Sequence, residues 1–133
     1  MSDELRPGVS ATIERVVDES LCTTRGEYDI FSTPNLVLLL EAAAIAAIAP
    51  HLGEGQACVG SQVNIAHSAP TLRGQTVWAT ATVTEVDRRR VEFDIEVRDE
   101  VDTIATGTHQ RFIINLDKFA ANLAAKAEKV ENA

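Results

Sequence analysis

The sequence predicts an α+β domain: an antiparallel five-stranded sheet wrapped around one long central helix, with a short helix at the C-terminal end. Three observations carry this expectation. The run Leu36 to Ala49, LVLLLEAAAIAAIA, is apolar on every face except at Glu41, so a sheet should enclose it. Most of the segments that follow alternate in character at every second residue, the period of a strand with one wet face. The 133 residues, 45% hydrophobic and 24% charged, suffice for one domain spanning 1–133 and its core, and are too few for two.

The elements follow in order. Val9, Ala11 and Ile13, with Val17 after Arg15, mark an edge strand over Val9 to Val17. Leu21 to Ser32 is mixed and polar and reads as a connecting loop. Thr33 is a suitable N-cap with Pro34 at the first helical position, and Pro50 and Gly53 end the helix. The helix alanines suit close approach of a sheet. Ala57 to Ala66 is the next strand. Thr76 to Val86 sets threonines and Trp78 against Val77, Ala79, Ala81 and Val83. Val91, Phe93, Ile95 and Val97 alternate with Glu92, Asp94, Glu96 and Arg98, giving one buried and one wet face. Thr103 to Leu116 is the last strand. Turn residues at Pro70 to Gly74, Asp87 to Arg90 and Asp99 to Asp102 separate these runs. An amphipathic tail, Asp117 to Val130, closes the chain. The sheet's open edges are suited to pairing in a homodimer or a higher homo-oligomer.

The net charge of -8 gives no general attraction for nucleic acid or an anionic membrane, so neither is expected as a partner. An anionic ligand would need local cations, for which Arg73, Arg88 to Arg90, Arg111 and Lys118 are candidates; the arginine run reads first as a solvated turn. Cys22 and Cys58 lack a metal-binding spacing and read as buried thiols. The N-terminal MSDELRPG lacks the basic and apolar regions of a signal peptide. The longest apolar run is broken by Glu41 and is shorter than a membrane span. A cytoplasmic protein is expected, with no metal and no cofactor.

Glu41 stands out. Burying an unpaired carboxylate costs several kcal/mol, so it needs partners or a raised pKa. It is either a working group or a carboxylate facing a wet cleft or a subunit interface. His67, in NIAHSAPT, sits at a strand end before a turn, a common place for a catalytic proton carrier. His51 and His109 carry the ordinary expectation for a lone histidine, a surface or hydrogen-bonded group.

The segments STPNLVLLLEAAA, VGSQVNIAHSAPT and ATATVTEVDRRRVEFDIEVRDEVDTIATGTHQRFII together resemble the fluoroacetyl-CoA thioesterase type of hot-dog protein, from about Phe31 to Phe119. The resemblance implies a hot-dog fold, an acyl-CoA substrate and hydrolysis of its thioester. It implies a catalytic set of Thr33, Glu41 and His67, with Gly60 against the acyl thioester and Arg111 at the ligand. Glu41 would be the nucleophile or the base that activates water, His67 the proton carrier, and Thr33 a positioning hydroxyl. The stretch before the helix, TTRGEYDIF, departs from the family's longer aromatic lid, with only Tyr28 and Phe31, and points to a different or broader acyl choice among short and medium chains. The competing expectation is a non-catalytic acyl-CoA-binding hot-dog domain. Eight helical residues rise about 12 Å, so Thr33 and Glu41 cannot touch on one straight helix. Either substrate spans that gap or a second subunit supplies the partner.

Overall fold

The computed structural model describes residues 4–133; Met1–Asp3, the first residues of the segment read for a signal peptide, lie outside it. The strands are β1 (Ser10–Val16), β2 (Cys22–Arg25), β3 (Tyr28–Phe31), β4 (Gln56–His67), β5 (Thr76–Asp87), β6 (Arg90–Arg98) and β7 (Thr103–Asn115). The helices are α1 (Thr33–Ile48) and α2 (Leu116–Glu131), with short 3-10 turns before β2 and after α1. Five antiparallel strands form one sheet in the order β1-β5-β6-β7-β4, which leaves β1 and β4 as its edges.

The alternation in β5 and β6 does what it promised. Val77, Ala79, Ala81, Val83, Val91, Phe93, Ile95 and Val97 are all buried and face α1. The small residues of β5 let the helix approach, and α1 lies mainly against β1 and β5, with lighter contact to β4 and β6. Its buried face is Leu36, Leu39, Leu40, Ala43, Ala44, Ala47 and Ile48. The expectation of burial on every face therefore fails for the single chain: Leu38 is 64% and Ile45 44% exposed, on the side that the sheet does not reach. By length and composition alone, Thr33–His51 is also long and apolar enough to cross a membrane, contrary to the sequence reading; 39% of that window is buried inside the protein.

Two further expectations are corrected. The segment read as a loop is the β2–β3 hairpin, with Gly26 at positive φ in its turn. Its strands are four residues each and carry little apolar alternation, so periodicity could not find them. The N-cap is Ser32, not Thr33, and Pro34 is therefore the second helical residue. The Ser32 hydroxyl is occupied in accepting from Asn35 Nδ2 at 2.7 Å and makes no cap bond to the backbone.

At Gly107 the backbone of β4 comes very close. A Cβ there would lie 2.0 Å from the Asn64 carbonyl oxygen, so only glycine permits this strand approach.

Candidate active site

His67 ends β4, and the chain beyond it is held by Ser68 N–H and Ala69 N–H donating to the Ile104 carbonyl. Opposite, the β2–β3 hairpin fixes the start of α1. Phe31 N–H donates to the Thr71 carbonyl at 2.9 Å and Ser32 N–H to the Leu21 carbonyl at 2.9 Å. Thr71 is itself anchored by its hydroxyl to Asp99 at 2.8 Å, and Arg73 pairs with Asp29 of the hairpin at 3.1 Å. These ties bring Thr33 to His67, whose Nδ1 and the Thr33 Oγ1 share a hydrogen bond of 2.9 Å.

The other ring nitrogen, Nε2, is buried and has no hydrogen-bond partner among the described residues. Burial pushes the His67 pKa below the ordinary histidine value, because the charged ring loses solvation. A cavity of about 400 Å³ opens beside it, lined by both residues, by the loop after His67 and by Thr23, Arg25, Ile30 and Phe31 of the hairpin. The stretch that looked too short for a lid thus forms one wall of the cavity.

Glu41 lies elsewhere. Its Oε2 accepts from Arg111 Nη1 at 3.2 Å, and its side chain is 31% exposed against 5% for Arg111. The carboxylate that seemed to need a partner has one. Arg111, expected at the ligand, points into the protein, where its Nε donates to Cys58 Sγ at 3.3 Å. Gly60 pairs with Arg111 across the β4–β7 ladder. A Cβ at Gly60 would stand 2.7 Å from Glu41 Oε2 and 3.1 Å from Arg111 Nη1, so the missing side chain is the space the carboxylate occupies.

Seven residues separate Gly60 from His67, an odd number that would put them on opposite faces of a regular strand. A bulge between Gly60 and Gln62 adds one residue and restores both to the inner face. Seven residues of strand also span roughly 20 Å. Within one chain, therefore, the Glu41–Arg111 pair lies at Gly60, well along β4 from the Thr33–His67 pair at its end.

His109, which carried only the ordinary expectation of a lone histidine, belongs to the Glu41–Arg111 group. It is 2% exposed, and its Nε2 lies 3.3 Å from Arg111 Nη1. A signal was available: Ala105, Gly107, His109, Arg111 and Ile113 share one face of β7, and two consecutive polar residues interrupt that inward series.

A curled antiparallel sheet on one helix, with a Thr–His pair at the helix start and a carboxylate two turns on, defines a thioesterase of the hot-dog class. The chain belongs to the fluoroacetyl-CoA-specific thioesterase family, whose model matches residues 12–117. The fluoroacetyl-CoA thioesterase of Streptantibioticus cattleyicolor is 38% identical over 98 residues, 74% of this chain and 70% of that protein. A solved fluoroacetyl-CoA thioesterase structure superposes with a TM-score of 0.85 at 33% identity, covering 93% of this chain and 98% of the other. A Thermus thermophilus thioesterase superfamily member superposes at 0.90 with 27% identity, covering 97% and 98%.

Proposed function

We propose that this chain hydrolyses short- or medium-chain acyl-CoA thioesters to the free acid and CoA, at a site made of Thr33, His67 and Glu41. The observation that carries the reading is the unpartnered His67 Nε2 at the cavity, beside the start of α1. An idle buried ring nitrogen is costly unless a substrate or water uses it. In the tautomer that carries its hydrogen on Nδ1, donated to Thr33, His67 has a lone pair free at Nε2. It can take a proton from water and return it to the departing thiol. The N-terminal end of α1 supports stabilisation of the developing oxyanion, since Ser32 makes no side-chain cap bond there. Gly60 keeps the space in which the Glu41 carboxylate works. Acting through water, the carboxylate helps the water oxygen form the new C–O bond as the C–S bond breaks, and the proton taken from that water leaves on the sulfur. Acting directly, it forms a mixed anhydride with loss of the thiolate. Water then hydrolyses the anhydride, freeing the acid and the carboxylate while its proton goes to the thiolate. Relatives support the substrate class, since one variant of the fluoroacetyl-CoA thioesterase holds acetyl-CoA and another holds fluoroacetate and CoA.

The two halves of the site lie far apart in one chain, which favours a homodimer. β4 is an open edge, and its residues Ser61 to Asn64 are exposed. Antiparallel pairing of two β4 strands, centred on Asn64 with the bulged residue left unpaired, would set Gly60 of one copy beside His67 of the other. Glu41 would then reach His67 across the interface. The two free thiols, Cys22 and Cys58, are in keeping with a cytoplasmic setting.

The test is free thiol release from acetyl-, fluoroacetyl- and butyryl-CoA under one set of conditions. We expect turnover of all three, with kcat/KM for acetyl- and fluoroacetyl-CoA within about 10–200-fold, the range that one small group in a pocket provides. Binding of every substrate without thiol release would replace this reading with a non-catalytic acyl-CoA-binding domain. Preference for fluoroacetyl-CoA by several thousandfold, on the order of 5 kcal/mol, would require a dedicated discriminating device.

A further inference from the structure

His109 is one of the largest fully buried side chains of the molecule, yet no step of the proposed reaction uses it. Its neighbours determine which nitrogen holds the hydrogen. Nδ1 lies 2.8 Å from the Gln62 carbonyl oxygen. A carbonyl only accepts, so Nδ1 carries the hydrogen and the neutral ring offers a lone pair at Nε2. Arg111 Nη1, at 3.3 Å, donates to that lone pair. The same Nη1 has a second hydrogen, and Glu41 Oε2 receives it at 3.2 Å. The rest of the guanidinium is held by Cys58, through Sγ at 3.3 Å from Nε and through the carbonyl at 3.5 Å from Nη2. The Phe93 ring, stacked on the imidazole at 5.9 Å between centroids, restricts its plane. Each link thus depends on the one before it, from a β4 carbonyl through the imidazole and the guanidinium to the carboxylate.

We infer that His109 is a positioning residue: as the neutral Nδ1–H tautomer, it holds the Arg111 guanidinium in the rotation that fixes the Glu41 carboxylate for reaction. The inference rests on the reading of Glu41 as the reacting carboxylate. The charged groups that face His109 are Arg111 from β7 and Glu41 from α1; Phe93 of β6 and Gln62 of β4 bring no charge. A protonated ring would turn an N–H toward Arg111 and break the chain of donors.

The experiment compares kcat and KM for His109→Leu, His109→Gln and Glu41→Gln. Nitrogen-15 NMR of the wild-type imidazoles runs alongside. Leucine fills the space without an acceptor, and we expect kcat to fall about tenfold or more with KM nearly unchanged, because a misplaced group costs turnover before binding. Glutamine supplies a donor for the Gln62 carbonyl and an acceptor for Arg111, so His109→Gln should recover most of what His109→Leu loses. NMR should find His109 neutral with its hydrogen on Nδ1. Wild-type kcat in His109→Leu, when Glu41→Gln is inactive, would overturn the inference. So would an Nε2–H tautomer, a readout that survives even if the leucine variant does not fold. An active Glu41→Gln would place the fault in the assignment of Glu41, and the positioning role would fall with it.

Discussion

At the scale of single residues, the proposed site holds two histidines whose pKa burial lowers and one paired carboxylate. Glu41→Gln should lower kcat by about 10²–10⁴-fold, the usual loss for a group that works on protons or attacks the carbonyl. The fold should survive, but Arg111 loses its counter-charge. Chemical denaturation should therefore show about 1.5–3 kcal/mol less stability than wild type, the usual worth of a hydrogen bond to a charged group. Burial lowers the pKa of both His67 and His109. The sign follows directly. Above the ordinary histidine value of about 6.5, both folded and unfolded chains hold these rings neutral, and they contribute no pH dependence. Below it, the unfolded chain takes up protons that the folded chain refuses, so stability falls as the pH drops. Urea midpoints at pH 7 and pH 5.5 should show this decline, and His109→Gln should make it smaller.

At the scale of elements, β4 organises the site, through its bulge, its glycine and its terminal histidine. Gly60→Ala tests this. The added Cβ meets the tip of a flexible side chain, so Glu41 moves while the strand stays. A shift of about 1 Å in a reacting group can cost on the order of 10²-fold in rate. We expect that loss in kcat with an unfolding temperature close to wild type; full activity would mean that the carboxylate has no fixed position to lose. The long elements were legible in the sequence because their periods were long. Thr76 to Val86 and Val91 to Val97 alternate over enough residues to name both faces, and α1 is bounded by proline signals at both ends. The β2–β3 hairpin was not legible, because four-residue strands held by ties to Thr71 and Arg73 leave no periodic trace. The pairing of Glu41 with Arg111 was equally hidden. It links residues 70 positions apart, and the bulge between Gly60 and Gln62 is invisible to any count along the strand. Thr33, Glu41 and His67 could be read as a set from the family resemblance, and the helical rise of about 12 Å said only that Thr33 and Glu41 do not touch on one straight helix.

At the scale of the whole molecule, the open edge of β4 and the uncovered side of α1 leave apolar groups in water, among them Leu38, Ile45 and Val63. Strand edges and contiguous apolar surfaces of this kind are ordinarily covered. Sedimentation at micromolar concentration should give a dimer or larger species. A charge placed on the outer edge, as in Val63→Lys, should shift the protein toward monomers and remove activity together with assembly.

The placement of Thr33 and His67 at the end of β4 and of Glu41 farther back beside Gly60 has a genetic consequence. If each working centre draws its histidine from one chain and its carboxylate from another, two dead proteins can repair each other. A dimer formed from one Glu41→Gln chain and one His67→Ala chain gathers both lesions into one of its two centres and leaves the other whole. Random reassortment of equal amounts makes half of the dimers mixed, so the blend should regain about a quarter of wild-type turnover. Neither parent alone should show it. A blend as inactive as its parents, after exchange of subunits has been demonstrated, would mean that each chain keeps its chemistry to itself.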